Sequence, residues 1–455
     1  MNDESLIIHK LAEGIISLSS KKFPDKILNI AKRCLIDISG VTLAGSSIES
    51  SKKLFEVASR TYAKGNSHIL GHRKSINPCG ASFINGTAAH ALDFDDNCYA
   101  GIVHGSAVIF PAVLAFAQQN SLTGADLLKG FIIGLEVEFA TAKALSNSIY
   151  DKGWWTTSVL GSIGSTAGVA SIANIDIEKM KNALSLAIAG IGAVRAVRGT
   201  NAKHYYCGKA AESGIMSVNL AKQGITGPLD VFEDRNGIIS VINNGIFDVS
   251  LLNNLGKNFS LIDPGIDIKK YPVCYASHSA VDAVKCIIDS KKIPINAIDE
   301  IICIVPPVIV SNLTYSNPKT IKEAQFSMEF AISSILKYGD ITLKNLDDEV
   351  FLTEDIQFLM TKVKVIEEKY PNNRVPKDKI CPEWSSVKIK TKNGEFHELF
   401  VGAPYGSSIN PISDKDLYNK FSDCLKYSKT KINPKSLFQK IKNIETLLNI
   451  DTLYR

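Results

Sequence analysis

Between residues 84 and 119 the chain reads INGTAAHALDFDDNCYAGIVHGSAVIFPAVLAFAQQ. His90, Asp93, Asp95, Asp96 and His104 stand here between small, apolar runs in which a core-building sequence would ordinarily place no charge. Histidine titrates near neutrality and suits proton transfer at carbon, and a neighbouring carboxylate can orient it or hold a substrate hydroxyl. Buried carboxylates need cations or donors to stay ionised, so another segment must supply partners. His104 enters the second apolar run beside Gly105 and Ser106, and a helix N-terminus with a small-residue entry favours anions. Acid, base and anion site would then share one loop-and-helix unit. Within it, Asp95 and Asp96 read as helix caps and His90 as a satisfied core histidine.

The elements that must position these groups are helices at 81–92 and 106–117, with Pro111 tolerable in the first turns of the second. A helix beginning near Pro24 carries Ile27, Leu28, Ala31, Leu35, Ile36 and Ile38 at spacings of three and four. Thr123 followed by Asp126 is a helix-starting box. The helix after it, 127–145, has small residues at Gly130, Gly134, Ala140, Ala142 and Ala144, with Glu136 and Glu138 as its charges. Similar small faces recur at Gly161, Gly164, Ala167 and Gly168, and such faces let helices approach closely. No GxGxxG follows a strand, and Gly208-Lys209 lacks the remainder of a phosphate loop.

The pattern NGxxAHALDFDD, a short loop, then HGSAVIFPAVLAFA resembles the signature region of the MmgE/PrpD family. That family includes 2-methylcitrate dehydratases, cis-aconitate decarboxylases and an iminodisuccinate epimerase. The resemblance implies functional roles for Asp93 and His104 and extends along the chain. In GTNAKHYYCGKAAESG, Lys203 matches a lysine that relatives place in the active site, where an ammonium can bind a substrate carboxylate and offset charge building on it. IDIKKYPVCYASH resembles a KxYPxC…H motif, with Lys269, Tyr271, Cys274 and His278 at matching positions. Lys269 is thereby a second anion-binding candidate, and His278 either a catalytic group or the residue that fixes this turn. The 317–336 segment resembles a further family stretch, with Tyr315 just before it able to face a site. In GWWTTSVLGSIGSTAG, Trp155 stands where the family usually has His, and Thr156 replaces a Pro. Asn97, Ser106, Trp155, Tyr271 and Tyr315 complete the expected substrate-binding set.

The architecture expected is mainly α: a large all-helical domain built from 1–265 and 403–455, with an inserted α+β lid at 266–402. A β-rich run at 301–310 is bent by Pro306 and Pro307. A half-buried strand follows at 359–366, and a two-residue hairpin at Asn393-Gly394 joins strands around Val387 and Phe396. A site between the two domains would gather Asp93, His104 and Lys203 from one side with Lys269 and His278 from the other.

The net charge of +5 over 455 residues points to neither nucleic acid nor a membrane surface and suits an enzyme of anionic substrates. Nine cysteines without CxxC or Cys/His ligand spacing, and an N-terminus without signal-peptide layout, suggest a cytoplasmic protein with reduced thiols. The longest uncharged runs fall short of the roughly 18 to 20 apolar residues of a membrane span. The family resemblance further implies a homodimer.

The shared difficulty of the family reactions is negative charge developing at a carbon next to carboxylates. Two lysines at those carboxylates would stabilise it with no metal and no organic cofactor. The expectation is thus a cofactor-independent lyase acting on a small di- or tricarboxylate. Dehydration of a 2-methylcitrate-like acid ranks first and decarboxylation of cis-aconitate second. Against the second, Asn97 stands where a decarboxylase-like chain would carry Thr, and the loop to His104 is one residue longer. Epimerisation of an imino- or amino-dicarboxylate, which needs only proton removal and return, is a further alternative, as is a catalytically silent carboxylate-binding protein.

Overall fold

A computed structural model describes residues 5–146, 148–369 and 380–454. The protein is mainly helical and folds as two compact units: Met1–Ile266 with Asp414–Arg455, and Asp267–Ser413. No described helix is long and apolar enough to cross a membrane.

The first unit is a pack of helices. Those that position the charged loop are α1 (Asp25–Ser46), α2 (Pro78–His90), α3 (Gly105–Gln119), α4 (Gly124–Ala144), α5 (Thr156–Ile172) and α6 (Ala202–Lys222). The chain returns to this unit as α7 (Asp414–Tyr427) and α8 (Pro434–Lys442). Pro78 opens α2 at a position where its missing N–H costs nothing, and the Asn77 side chain accepts from the Gly80 N–H. Thr123 and Asp126 form the reciprocal capping box expected for α4. Pro111 falls in the second turn of α3 and removes an internal hydrogen bond there.

α3 is buried along nearly its whole length and packs against α2, α4 and α5. α4 and α5 approach so closely that a Cβ on Gly134 would lie 2.8 Å from the Gly164 carbonyl oxygen, and one on Gly168 2.8 Å from that of Gly130. The small faces evident in the sequence are therefore the two sides of one helix contact. A short hairpin of β1 (Ser67–His68) and β2 (Ser75–Ile76) is pinned to α2 by Asn85. Its side chain accepts from the Leu70 N–H at 2.9 Å and donates to the His68 carbonyl at 3.0 Å.

The second unit is a four-stranded sheet, β3 (Ile298–Val305), β4 (Val363–Glu367), β5 (Ser385–Thr391) and β6 (Phe396–Val401), in the order β4-β3-β5-β6. β3 pairs parallel with β4 and antiparallel with β5. Helices His278–Lys291 and Met328–Tyr338 pack on it. Three local expectations change. The prolines at 306 and 307 end β3 and begin a short helix, because proline suits a first helical turn better than a paired strand. Leu359 and Met360 close a helix, Glu354–Met360, before β4 begins at Val363. The hairpin connection is longer than two residues: Lys390 pairs with Phe396, and the Thr391 N–H bonds the Glu395 carbonyl around a left-handed Gly394. Residues 403–413 also lie in this unit, not with the C-terminal helices. The Ile268 N–H bonds the Gly406 carbonyl at 2.8 Å, and the Ser408 N–H bonds Asp267 at 2.7 Å.

α7 is fastened to α1 by a buried ion pair, Lys420 Nζ to Asp37 Oδ1 at 2.6 Å. The same ammonium donates to the Phe94 carbonyl at 2.8 Å and lies 3.9 Å from the centre of the Phe94 ring. Removing one member of a buried pair strands the other charge. Lys420→Met should therefore lower unfolding free energy by about 3–5 kcal/mol, and the double variant Asp37→Leu/Lys420→Met should recover part of that loss. Urea unfolding followed by circular dichroism measures both, and equal stability of the single variant and wild type would contradict this account.

Candidate active site

The loop between α2 and α3 is short and tightly held. Cys98 and Val103 exchange both backbone hydrogen bonds, at 2.9 and 3.1 Å, closing a small loop over residues 98–103 with Ile102 left-handed at φ 54°. Asp93 is also left-handed, at φ 50°, a conformation uncommon outside glycine. It is the first turn of chain past α2 that must bend this way to bring residues 93–97 back under His90. Asp93, Asp95, Asp96 and Asn97 are all buried, Asp95 completely.

Asp95 is the hub, and it caps no helix. Its two oxygens lie 2.9 and 2.8 Å from His90 Nδ1, and Oδ2 lies 3.4 Å from His104 Nδ1. His104 Nδ1 is 2.7 Å from the Asp96 carbonyl oxygen, an atom that can only accept, so Nδ1 carries the proton. Proton exchange at His104 must then pass through Nε2. The backbone N–H of His104 donates to Thr157 Oγ1 at 3.2 Å, which ties the start of α3 to α5. The rings of His90 and His104 are 4.6 Å apart, and the Trp155 ring lies 5.8 Å from each.

The partner expected for the carboxylates comes from α6. Lys203 Nζ lies 2.5 Å from Asp93 Oδ1 and 4.8 Å from the centre of the Trp155 ring. Asp93 Oδ1 is in turn 3.8 Å from His90 Nε2. Asp93, His104, Lys203, Trp155 and Asn97 are thus brought into one buried neighbourhood in the first unit, together with His90 and Asp95. Lys209, one turn and a half further along α6, pairs with Glu212 at 2.5 Å and takes no part in the cluster.

Ser106 donates to Asp96 Oδ2, so this side chain supports Asp96 at the foot of α3. Burial is the main cause that raises the Asp96 carboxyl to about 7, opposed by the Ser106 bonds and reinforced by Asp37 and Asp95. Glu138 on α4 is more extreme. It is fully buried, neither oxygen has a hydrogen-bond partner among the described residues, and burial followed by the Asp96 charge pushes its carboxyl well above the usual range. A Cβ on Gly105 would lie 2.5 Å from Glu138 Oε2, so this carboxyl packs directly against the entry to α3. Glu136, by contrast, accepts the Ser260 and Leu261 N–H groups at 2.9 Å each and serves the backbone.

The other candidates lie in the second unit. Lys269 is buried, and Tyr315 is half-buried. The Tyr271 hydroxyl donates to Asp282 at 2.8 Å. His278 is fully buried between the Tyr271 and Tyr275 rings, and its Nε2 lies 3.3 Å from the Val273 carbonyl.

Sequence reasoning undervalues His90, Asp95 and Glu138. The alternation His-x-x-Asp-x-Asp over 90–95 is the available signal for the first two, because a turn after a helix can fold those side chains together. Nothing local marks Glu138, whose significance comes from what packs over it. His90, Asp95 and His104 also offer one ligand atom each within 4.8 Å of one another, so this is where a metal ion could be held, whereas none is expected from the sequence. Both Nδ1 atoms are engaged in hydrogen bonds, which an ion bound through them would have to displace.

Comparison with known proteins gives matches to the MmgE/PrpD N-terminal domain over residues 9–249 and the MmgE/PrpD C-terminal domain over residues 271–442. Similar curated proteins include the cis-aconitate decarboxylases of Homo sapiens, 25% identical over 98% of this chain and 93% of the relative, and Mus musculus, 26% identical over 99% and 93%. A cis-aconitate decarboxylase-like protein of Aspergillus oryzae is 21% identical over 92% of the chain and 90% of its own length.

The Asp96 environment makes a testable pH dependence. With a folded-state value near 7 against an ordinary 3.8, the folded protein holds a proton that the unfolded chain releases in that interval. Stability therefore falls as pH rises through this window. Asp96→Asn keeps an oxygen for Ser106 and removes this slope, so the variant should gain on wild type by up to roughly 4 kcal/mol on passing from acid to neutral pH. Urea midpoints of both proteins across the window test it, and parallel profiles would place the Asp96 titration elsewhere.

Proposed function

Since the chain belongs to the MmgE/PrpD family, we propose that it is a lyase that decarboxylates an unsaturated tricarboxylate of the cis-aconitate kind, by proton transfer at carbon and without a cofactor. The observation that carries this reading is the buried Asp95 shared by His90 and His104, with His104 Nδ1 held on a carbonyl so that Nε2 is the atom that exchanges protons. The bond from carbon to the departing carboxylate breaks, and its electron pair passes into the allylic skeleton. His104 enters the step as the imidazolium, with Nδ1–H kept on the Asp96 carbonyl; its Nε2 proton completes the new C–H bond, and carbon dioxide leaves. A tricarboxylate becomes a dicarboxylate, and solvent reprotonates the imidazole. Lys203 offsets the negative charge of the substrate and of the intermediate, with Asp93 setting where its ammonium lies. Lys269 is retained as a second carboxylate anchor.

Decarboxylation is placed ahead of dehydration, reversing the order expected from the sequence, because the similarity to decarboxylases extends over nine-tenths or more of the chain. The second reading, dehydration of a 2-methylcitrate-like hydroxy acid, rests on Trp155 and Asn97. An indole lies against both histidines where relatives usually have a third imidazole, and the amide of Asn97 stands in place of a threonine hydroxyl.

Proton NMR of the purified protein in D2O, with cis-aconitate and 2-methylcitrate in separate tubes, distinguishes the two by loss of carbon dioxide or of water. His104→Ala should keep the fold and lower turnover by roughly 100-fold or more, the usual scale for a general acid or base. Turnover should also survive extensive dialysis against a chelator. Undiminished turnover in His104→Ala would remove it from the chemistry, and loss on chelation restored by a divalent ion would move the reading to the His90, Asp95 and His104 metal arrangement.

A further inference from the structure

A second anionic-ligand site lies in a cleft whose lining includes none of the acid-base cluster residues. A cleft of about 770 Å³ opens between the β1–β2 hairpin and the connection from α7 to α8. Its walls carry Arg73 and Lys74 from the hairpin turn, Lys429 and Lys431 from the connection, and Lys440 from α8, and no Asp or Glu lines it. This is unusual in a chain whose 51 cations are nearly matched by 46 acids. Neighbouring cations on the same elements do find carboxylates: Lys442 of α8 is 3.8 Å from Asp414, and Lys32 of α1 pairs with Glu445 at 2.5 Å. Among the described residues, Arg73, Lys429 and Lys431 form no ion pair.

The segments that carry the cations are themselves constrained. Gly71, left-handed at φ 80°, sits so close to α1 that a Cβ would collide with Ser46 Oγ, and Asn85 holds the β1 side of the turn through His68 and Leu70. Lys429 is itself left-handed at φ 55°, and Lys440 Nζ is fastened to the Thr452 carbonyl at 2.8 Å. His72 adds no charge, because burial lowers its pKa and its ring stacks on Phe55 with centres 3.8 Å apart. Convergent cations on separate rigid segments repel one another unless an anion joins them.

The remaining lining says what kind of anion. The floor is apolar, from Leu43, Leu437 and Leu453, and one wall is the Tyr454 ring, whose hydroxyl lies 2.7 Å from Ser39 Oγ. The first turn of α8, with Asn433 as its cap, lies at the rim and adds the positive end of a helix. An arginine fork, several ammonium groups and an apolar face match phosphate groups attached to a flat body. We propose that this cleft binds a small molecule carrying two or more phosphates on an aromatic or apolar body, of the nucleotide class, at a site separate from the acid-base cluster.

Isothermal titration calorimetry of the full-length protein with ADP, inorganic tripolyphosphate and tricarballylate tests this. ADP and tripolyphosphate should each bind one site, more weakly as salt is raised. Arg73→Ala and Lys431→Ala should each weaken both roughly tenfold or more, whereas Lys203→Ala should leave both unchanged. The proposal is overturned if neither phosphate probe binds at millimolar concentration, or if Lys203→Ala abolishes binding that the cleft variants retain. Tricarballylate binding that Arg73→Ala or Lys431→Ala weakens and Lys203→Ala does not, with no binding of either phosphate probe, would assign the cleft to carboxylates and overturn the phosphate class. Sedimentation of the same variants supplies a second readout. Dissociation of an oligomer by Arg73→Ala or Lys431→Ala, with no phosphate binding in wild type, would make the cleft a contact between copies and equally overturn the proposal.

Discussion

The interaction on which the first unit depends is the burial of five ionisable side chains from one loop inside helices that offer them almost no solvent. Charge in such a place is tolerated only if every group finds a partner within reach, since isolated burial of an ion costs far more than a fold of this size has to spare. Asp95 meets two imidazoles, Asp93 meets Lys203, and Asp96 meets Ser106. These partners come from several different helices. The helices are therefore placed by the electrostatic needs of the loop as well as by their own apolar faces.

Close packing makes that arrangement possible. Small residues let α4 and α5 touch backbone to backbone, which brings Glu138 against Gly105 and Thr157 to the His104 amide. A side chain larger than hydrogen at Gly105 would collide with the Glu138 carboxyl, so the entry to α3 and the buried acid beneath it form one fitted unit. Glu138, kept neutral by burial, is an acid stored rather than displayed. The same logic explains Trp155. Its indole covers both histidines and the Lys203 ammonium, an apolar wall that strengthens the charge interactions behind it.

Much of this is legible in the sequence, and the reasons for the exceptions are physical. The helical first unit, the capping box at Thr123 and the small-residue contact follow from periodicity and local chemistry. The pairing of Lys203 with Asp93 is foreseeable only as a need for cations, because the two residues are 110 positions apart. Asp95 reads as a cap because an aspartate ahead of a helix often accepts from its first free N–H groups. Three closely spaced carboxylates in a turn can be divided among partners in several ways, and no local rule selects among them. In the second unit the proline pair reads as a bent strand, although proline equally suits a helix start, and here the helix wins.

By itself the sequence determined which groups are present, that they must be buried, and that the chain is mainly helical with a smaller mixed unit, since these depend on residue type and on spacing over a few turns. Tertiary structure decided which atoms meet. It set Asp95 between two rings, chose the protonated nitrogen of His104 by placing a carbonyl against it, and left a row of cations around a cleft with no acid among them. Those outcomes depend on distances between segments far apart in the chain, and distance between segments is a property that only packing supplies.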